Sequence, residues 1–390
     1  MRSLLERFFK LDDHNTSIGS EVVAGATTFI TMVYIIFVNP QMMAASGMDQ
    51  GASFVGTCIA AALACFFMGL YANWPVGMAP GMGLNAFFTY TVVGDMGYSW
   101  QIALGAVFLA GILFVIMSVT RLRRWMLDSI PLNMRIAMGV GVGLFVGFIG
   151  LKSGGIIVAN GATYLTLGDL TRPDTVLAAF GFTVISVLSI RKVPGAIIIG
   201  ILSTTIIALF MGLVEFNGLV AAPPDITPTF MQLDILGALD VAMVSVVIAF
   251  LFVNLFDTAG TLLGVASRAG LVDEQGNAQN LDRALKADSS SSVMGAFFGC
   301  APVTSYVESS AGVEAGGRTG LTAVVVGMCF LLAIFFSPLA SMVPAYATAG
   351  ALFYVAILML GGMESLEWSD MSEVLPALVT IIMLSLIHIS

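Results

Sequence analysis

The chain has 390 residues, of which 58% are hydrophobic and 10% are charged, and its formal net charge is −9. Soluble domains carry about 25% charged residues, so this composition excludes a soluble globular protein and indicates a polytopic protein embedded in the lipid bilayer. The acidic net charge also argues against a nucleic-acid partner.

The hydrophobic segments predict about thirteen membrane spans, because a helix needs about 20 residues to cross the hydrocarbon core. The third, ninth and tenth spans are short and contain polar or helix-breaking residues, which a bundle of other helices can accommodate. In the fifth span, Gly143 and Gly147 form a GxxxG spacing that predicts close helix packing. The predicted spans are 21–39, 52–70, 79–93, 101–119, 134–151, 175–190, 194–213, 238–257, 287–300, 302–315, 320–336, 342–361 and 372–387.

Basic residues predict the orientation of these spans. The positive-inside rule places loops rich in Lys and Arg in the cytoplasm. The opposite loop at 214–239 has no Lys or Arg, and Lys152 and Arg172 are minor exceptions in another outer loop. We therefore predict a multi-pass protein of the inner or plasma membrane with a cytoplasmic N-terminus. The basic residues on the cytoplasmic side are Arg2, Arg7, Lys10, Arg121, Arg123, Arg124, Arg191, Lys192, Arg268, Arg283, Lys286 and Arg318.

Two pairs of matching segments indicate an internal repeat. The sequence IIFVNP at 35–40 ends the first span, and FLFVNL at 250–255 lies in the eighth. An Ala-Pro pair opens the third span at 79–80 and the tenth at 301–302. A repeat of seven spans, an odd number, must insert with inverted topology, and paired interrupted spans of this kind are typical of a transporter's central site.

The repeat predicts a longer chain than the sequence contains. Two units of seven spans make fourteen, and the last predicted span ends in the tail LSLIHIS at 384–390. We expect from this a C-terminus that lacks most of the last two spans. A natural protein of thirteen spans is the alternative.

Prolines and glycines interrupt the third and tenth spans. The stretch at 74–90 has two prolines and three glycines before Asn85, and the stretch at 300–316 has Pro302 before Glu308. They predict extended backbone, which exists at membrane depth only where it lines a cavity or is buried in protein. Each stretch then starts a helix whose N-terminal N–H groups point into the space between the two spans. A pair of kinked, closely packed helices is the alternative.

Two carboxylates lie within predicted spans, Asp257 in the eighth and Glu308 in the tenth. A charge at bilayer depth costs about 2.5–3.5 kcal/mol on insertion scales, so such residues usually mark a substrate or proton path. Beside free backbone donors, Glu308 suits a planar ligand with adjacent N–H groups, because a carboxylate accepts two parallel hydrogen bonds. Removal from water favours a protonated carboxyl, so either acid is a candidate proton carrier. For Asp257, an ion pair or a helix cap is the alternative.

Three segments resemble the nucleobase–cation symporter-2 group, in its branch of bacterial and fungal adenine, guanine and hypoxanthine permeases. They are APGMGLNAFFTY at 79–90, FVNLFDTAGTLLGVA at 252–266 and SYVESSAGVEAGGRTGL at 305–321. The resemblance implies an all-α polytopic membrane fold like that of uracil permeases, with two inverted repeats of seven spans and short extended stretches in spans three and ten. It implies a secondary transporter that imports purine nucleobases by proton symport with alternating access.

The resemblance also implies a core domain that carries the substrate and a gate domain that often dimerises, so a homodimer through the gate is considered. The predicted boundaries are a cytoplasmic N-terminal segment at 1–20, core-domain halves at 21–130 and 236–340, and gate-domain halves at 131–235 and 341–390, the last one truncated.

The resemblance implies roles for individual residues. Glu308 resembles the span-ten position that grips the purine, Asp257 the span-eight acid used in binding and proton coupling, and Asn85 the span-three residue that tunes both. Thr261 stands where uracil-type relatives have a histidine, which puts the same proton relay in doubt. The predicted substrate-binding residues are Glu308, Asp257, Asn85, Thr304, Val307 and Ala86, and the predicted proton-coupling residues are Asp257 and Glu308.

Three other classes of membrane protein compete with this interpretation. An anion transporter of the same fold, of the sulfate or bicarbonate type, needs positive charge or donors without carboxylates, which Glu308 disfavours. A membrane-embedded enzyme needs a paired-acid metal motif or a nucleophile with its base, and the sequence shows neither. A channel fits less well than a carrier, because the broken helices are paired between inverted repeats. The four cysteines and two histidines have no metal-binding spacing, so we expect no cofactor beyond the coupling proton.

Overall fold

The computed structural model describes residues 2–120, 131–161, 163–272 and 278–385. The predicted basic cluster of Arg121, Arg123 and Arg124, and the end of the tail at 386–390, lie outside the described residues. Most of the described chain is helical, in agreement with the predicted all-α class.

The elements follow one another from the N-terminus as a series of helices with four short strands. The α-helices are α1 Arg2–Phe9, α2 Ile18–Met32, α3 Ile35–Ala45, α4 Gln50–Phe67, α5 Met82–Ala86, α6 Trp100–Val119, α7 Leu132–Ser153, α8 Pro173–Ile190, α9 Ala196–Phe210, α10 Met243–Ala269, α11 Leu281–Phe297, α12 Ser309–Glu314, α13 Gly320–Ala333, α14 Ser337–Met342, α15 Ala345–Leu360 and α16 Met371–Ser385. The strands are β1 Met78–Pro80, β2 Ile157–Asn160, β3 Tyr164–Leu167 and β4 Val303–Ser305, and π-helical turns lie at Met68–Ala72 and Phe87–Asp95.

Eight helical stretches among the described residues are long and apolar enough to cross a membrane, and the shorter apolar helices α9 and α16 accompany them. The predicted ninth span corresponds to α11, which has 17 residues and several buried polar side chains. The predicted third and tenth spans each consist of a short strand followed by helical turns. Their interruption is therefore confirmed, while the total of about thirteen spans stays a prediction.

The helices pack in two groups. In the first, α7 lies against α15 and α16, and α8 contacts both α9 and α15. In the second, α11 packs against α4 and α6, and α13 packs against α2 and α4. The groups meet where α5 contacts α7 and where α3 contacts α15. The first group holds helices from the predicted gate and the second holds helices from the predicted core, whose boundaries stay a prediction.

Strands β1 and β4 form an antiparallel pair along their full length. The pairing extends beyond both ends, since the Gly81 N donates to the Pro302 carbonyl at 2.9 Å and the Tyr306 N donates to the Gly77 carbonyl at 3.0 Å. Prolines and glycines keep these stretches from continuing as helices. The two extended backbones satisfy each other's polar groups, which lipid cannot do. The extended stretches predicted in spans three and ten are thus confirmed.

The repeat predicted from the FVN motif is visible in matching hydrogen bonds. Asn39 on α3 donates through Nδ2 to the Thr57 hydroxyl on α4 at 2.6 Å. Asn254 on α10 donates through Nδ2 to the Ser292 hydroxyl on α11 at 2.8 Å. All four side chains are buried. In each half of the chain, a buried asparagine thus joins the first predicted span of that half to the second.

Glycines bring α7 close to α15. A Cβ placed on Gly143 would lie 2.6 Å from the Cβ of Met359, and one on Gly147 would lie 2.8 Å from the Cβ of Ala356. At Gly139, one turn before Gly143 on the same helix, no atom of the described residues lies within 4 Å of the corresponding position. The close packing predicted from the GxxxG spacing is therefore confirmed.

We expect Gly143→Ala to lower the melting temperature of the protein in detergent. The added methyl group must displace α15, and overpacking of this kind costs about 1–3 kcal/mol. Gly139→Ala is the matched control, because it adds the same methyl group in open space, where alanine is favoured in a helix by about 0.5–1 kcal/mol. Equal melting temperatures of the two variants would contradict the packing of α7 on α15.

Candidate functional site

A break in the first span places Tyr34 in the interior. The regular helix is interrupted between Met32 and Ile35. There the Ile36 N donates to the Val33 carbonyl at 3.1 Å and the Phe37 N donates to the Tyr34 carbonyl at 3.0 Å, so the bonds span three residues in place of four. Tyr34 lies in this break and is 1% exposed. Its hydroxyl donates to the Glu308 Oε1 at 2.6 Å, a short bond typical of a donor to a carboxylate.

Glu308 lies where the chain turns from β4 into α12. The same turn is fixed to the opposite strand, because the Tyr306 hydroxyl donates to the Pro80 carbonyl at 2.6 Å. The Gly77 N also donates to the Ser309 hydroxyl at 2.9 Å. Glu308 as a whole is half-buried, and its carboxylate is held on one side by the Tyr34 hydroxyl.

Asp257 approaches Glu308 from α10. The side chain is half-buried, and the two carboxyl groups lie near enough for their charges to interact. A Cβ placed on Gly260 or Gly264, further along α10, would have no atom within 4 Å. At these two positions α10 is not packed against a neighbouring segment of the described chain. The structure brings together the two acids that the sequence singled out.

A third carboxylate, Asp288 on α11, belongs to the same cluster and was missed from the sequence. It is 0% exposed, and its charge reaches Asp257. The Thr258 hydroxyl donates to its Oδ2 at 2.7 Å, and the Ser305 hydroxyl donates to its Oδ1 at 2.7 Å. Asp288 thus joins α10 to β4 behind Asp257.

Asn85 and Ala86 lie on α5, the short helix that follows β1. Both are fully buried, and α5 contacts α10, the helix that carries Asp257. Neither polar atom of the Asn85 side chain has a hydrogen-bond partner among the described residues. Buried amides are nearly always paired, so Asn85 presents one acceptor and two donors for a ligand or for water.

The remaining predicted residues lie on either side of Tyr306. Thr304 is 1% exposed and lies in β4 opposite Ala79, so its side chain is part of the strand contact. Val307 is 52% exposed and precedes Glu308 directly, so it lies at the accessible edge. The binding roles of the six residues stay predictions.

Clustered acids and paired extended segments inside an apolar helix bundle define a membrane transporter with its site between helix ends. The transmembrane domain of a cyanobacterium bicarbonate transporter, BicA, has the same fold, with a TM-score of 0.72, 17% identity and coverage of 95% of each chain.

The chain belongs to the nucleobase–cation symporters, since the sequence profile described as Permease family matches residues 19–388. It is 48% identical to the adenine permease AdeP of Escherichia coli (strain K12), over 98% of this chain and 86% of the relative. It is 43% identical to the guanine/hypoxanthine permease PbuG of Bacillus subtilis (strain 168), over 98% of this chain and 90% of the relative. These matches confirm the family that the sequence motifs indicated.

We expect Ser305→Ala to lower the melting temperature, because it removes a hydrogen bond to the buried Asp288. Hydrogen bonds to a charged group contribute about 1.5–3 kcal/mol. Ser341→Ala is the matched control, since the Ser341 hydroxyl is exposed and bonds only locally, to the Pro338 carbonyl at 2.8 Å. Thermal unfolding of both variants in detergent provides the measurement, and a Ser305→Ala protein as stable as the control would argue against the Asp288 network.

Proposed function

We propose that the protein is a secondary transporter, and not an enzyme, that imports purine nucleobases together with protons. The observation that carries the proposal is the Glu308 carboxylate, held by the Tyr34 hydroxyl at 2.6 Å and within electrostatic range of Asp257. The names of the relatives, an adenine permease and a guanine/hypoxanthine permease, support a purine as the cargo.

The polar groups at the site suit the edge of a purine. Such a base is flat and presents N–H groups next to ring nitrogens or carbonyl oxygens. A carboxylate has about four acceptor positions, so Glu308 can retain the Tyr34 hydroxyl and also accept N–H groups from the base. The unpartnered amide of Asn85 offers donors and an acceptor together. A neutral base brings no charge of its own to an already acidic site.

Proton coupling follows from the neighbouring carboxyl groups. Asp257 interacts electrostatically with both Glu308 and Asp288. Like charges repel strongly where water is scarce, so taking up a proton relieves the repulsion and prepares Glu308 for a neutral ligand. Release of the base and of the proton on the other side of the membrane would then complete a symport cycle.

Alternating access would arise from movement of the two packing groups against each other. Gln41 on α3 donates to the Val343 carbonyl at 2.8 Å and accepts from the Thr348 hydroxyl at 2.9 Å. The ammonium group of Lys152 lies 5.6 Å from the centre of the Tyr90 ring. With a cytoplasmic N-terminus, both contacts close the outer side. The unpacked positions Gly260 and Gly264 then lie on the cytoplasmic side of Asp257, which supports an inward-facing arrangement in a plasma or inner membrane.

An anion is the competing cargo, because the fold is shared with a bicarbonate transporter. Carboxylates at the site repel anions, so the purine is favoured. Uptake of radiolabelled adenine, guanine, hypoxanthine, bicarbonate and sulfate separates the two proposals in cells that express this chain and lack their own purine permeases. We expect purine uptake that a protonophore abolishes. Bicarbonate or sulfate uptake without purine uptake would support the anion.

We expect Glu308→Gln to reduce purine uptake to near background while the protein still reaches the membrane. The amide replaces one acceptor oxygen with a donor, so it cannot accept paired N–H groups as the carboxylate does. Glu314→Gln is the matched control, because the same change falls on a side chain that is 72% exposed in the same segment. Uptake assays normalised to membrane protein provide the measurement, and unimpaired uptake by Glu308→Gln would refute the site.

A further inference from the structure

Glu21 is a buried acid that the proposed binding site does not use. It lies in the first turn of α2 and is 0% exposed. Its Oε1 accepts from the Arg318 N at 2.9 Å. Its Oε2 accepts from the Thr319 N at 3.3 Å, the Thr322 N at 3.2 Å and the Thr322 hydroxyl at 2.6 Å. A buried carboxylate with this many donors is firmly fixed.

The donors to Glu21 belong to the turn before α13 and to the first turn of that helix. The first N–H groups of a helix have no partner within it and carry the positive end of its dipole. The Thr319 hydroxyl satisfies one of them by accepting from the Leu321 N at 3.4 Å. Glu21 satisfies the Thr322 N–H from another helix, so its negative charge binds the start of α2 to the start of α13.

Helix α2 also has little freedom to shift against α12 and α13. A Cβ placed on Gly25 of α2 would lie 2.6 Å from the Cβ of Val325 on α13. A Cβ placed on Gly312 of α12 would collide with the Thr28 side chain on α2. The helices therefore approach closely along α2, and the hydrogen bonds to Glu21 add a polar contact at the start of the helix.

The other end of α2 reaches the proposed binding site. The Thr31 hydroxyl donates to the Glu308 backbone carbonyl at 3.4 Å. Tyr34, two residues beyond the end of α2, donates to the Glu308 carboxylate at 2.6 Å. Because Glu308 directly precedes α12, α2 contacts the segment formed by α12 and α13 at both of its ends.

We propose that Glu21 is a positioning residue for substrate binding. By fixing α2 to the start of α13, it keeps the Tyr34 hydroxyl within hydrogen-bonding distance of Glu308 and so orients the carboxylate for the base. The hydrogen bond from Tyr34 to Glu308 is sensitive to small shifts of α2, because O–H···O bonds require a separation of about 2.5–3.0 Å. This inference rests on the proposed role of Glu308 in purine binding.

A double-mutant cycle tests the inference, with the wild type, Glu21→Gln, Tyr34→Phe and the double variant. Gln has the size of Glu but turns one acceptor oxygen into a donor that faces backbone N–H groups. We expect each single substitution to raise the KM of purine uptake about tenfold and the double variant to raise it little further, because both disturb one contact. An unchanged KM in Glu21→Gln, or single effects that multiply in the double variant, would overturn the proposal.

Two further variants separate positioning from general destabilisation. Glu314→Gln makes the same substitution on an exposed glutamate that pairs with Arg268 at 3.5 Å, and its KM is expected to equal that of the wild type. Glu21→Asp keeps the carboxylate one methylene group shorter, and we expect it to recover part of the loss. If Glu21→Gln has a lower melting temperature but the KM of the wild type, Glu21 only stabilises the fold, and the proposal is overturned.

The same cycle in thermal unfolding without purine distinguishes this inference from the proposed function. If the wild type takes up no purine but the two substitutions remain coupled in stability, the proposed function fails while the link from Glu21 to Tyr34 holds. If purine uptake is normal in the wild type and both KM and stability effects are additive, the link fails while the proposed function holds.

Discussion

The fold depends on the pairing of β1 with β4 inside an apolar helix bundle. Lipid offers no partner for the N–H and C=O groups of an extended chain, so each of these strands can exist only because the other lies beside it. The Tyr306 hydroxyl adds a side-chain bond to the Pro80 carbonyl at 2.6 Å. Spans three and ten are thereby fixed to each other, and the helices that follow them start on opposite sides of one junction.

The surrounding helices direct carboxyl groups toward this junction and hold them with hydroxyl groups. Tyr34 bonds Glu308, and both Thr258 and Ser305 bond Asp288. A hydroxyl can donate to a carboxylate and can also accept from a protonated carboxyl, whereas a lysine or arginine can only donate. Hydroxyl partners therefore keep Glu308 and Asp288 in place whichever protonation state they have. Protonation of either of these two acids would leave its hydroxyl bonds in place, which agrees with the proton coupling proposed above.

The sequence revealed the acids that lie inside predicted apolar spans and concealed those at the starts of predicted spans. Asp257 and Glu308 stand out because their neighbours are apolar or weakly polar, and the prolines and glycines marked the strands. Asp288 and Glu21 lie at the starts of predicted spans, where an acid is ordinarily solvated, and their burial depends on which helices pack over them. Tyr34 carries no charge, so its bond to Glu308 could not be recognised without the break in span one.

The register of the repeat was also beyond the reach of the sequence. The Ala-Pro pairs at 79–80 and 301–302 suggested equivalent starts of two spans, but Pro80 ends β1 while Pro302 precedes β4. A proline marks a segment that cannot be helical, yet it does not specify which neighbouring residues form the strand. The strand partners are set instead by the backbone hydrogen bonds between the two halves, which only the folded chain displays.

The two halves share a scaffold but differ in their chemistry. Asn39 and Asn254 are equivalent in the two halves, so Asp257, three residues after Asn254, corresponds to Met42. Thr57 and Ser292 are also equivalent, so Asp288, four residues before Ser292, corresponds to Ser53. Met42 and Ser53 are both buried. The first half therefore has uncharged packing residues at the positions where the second half has acids. The paired strands need the backbone of both halves, whereas the acids come from one. Strand pairing through backbone groups leaves the carboxyl positions free to differ between proteins of one fold, and that fold is shared by this permease family and a bicarbonate transporter.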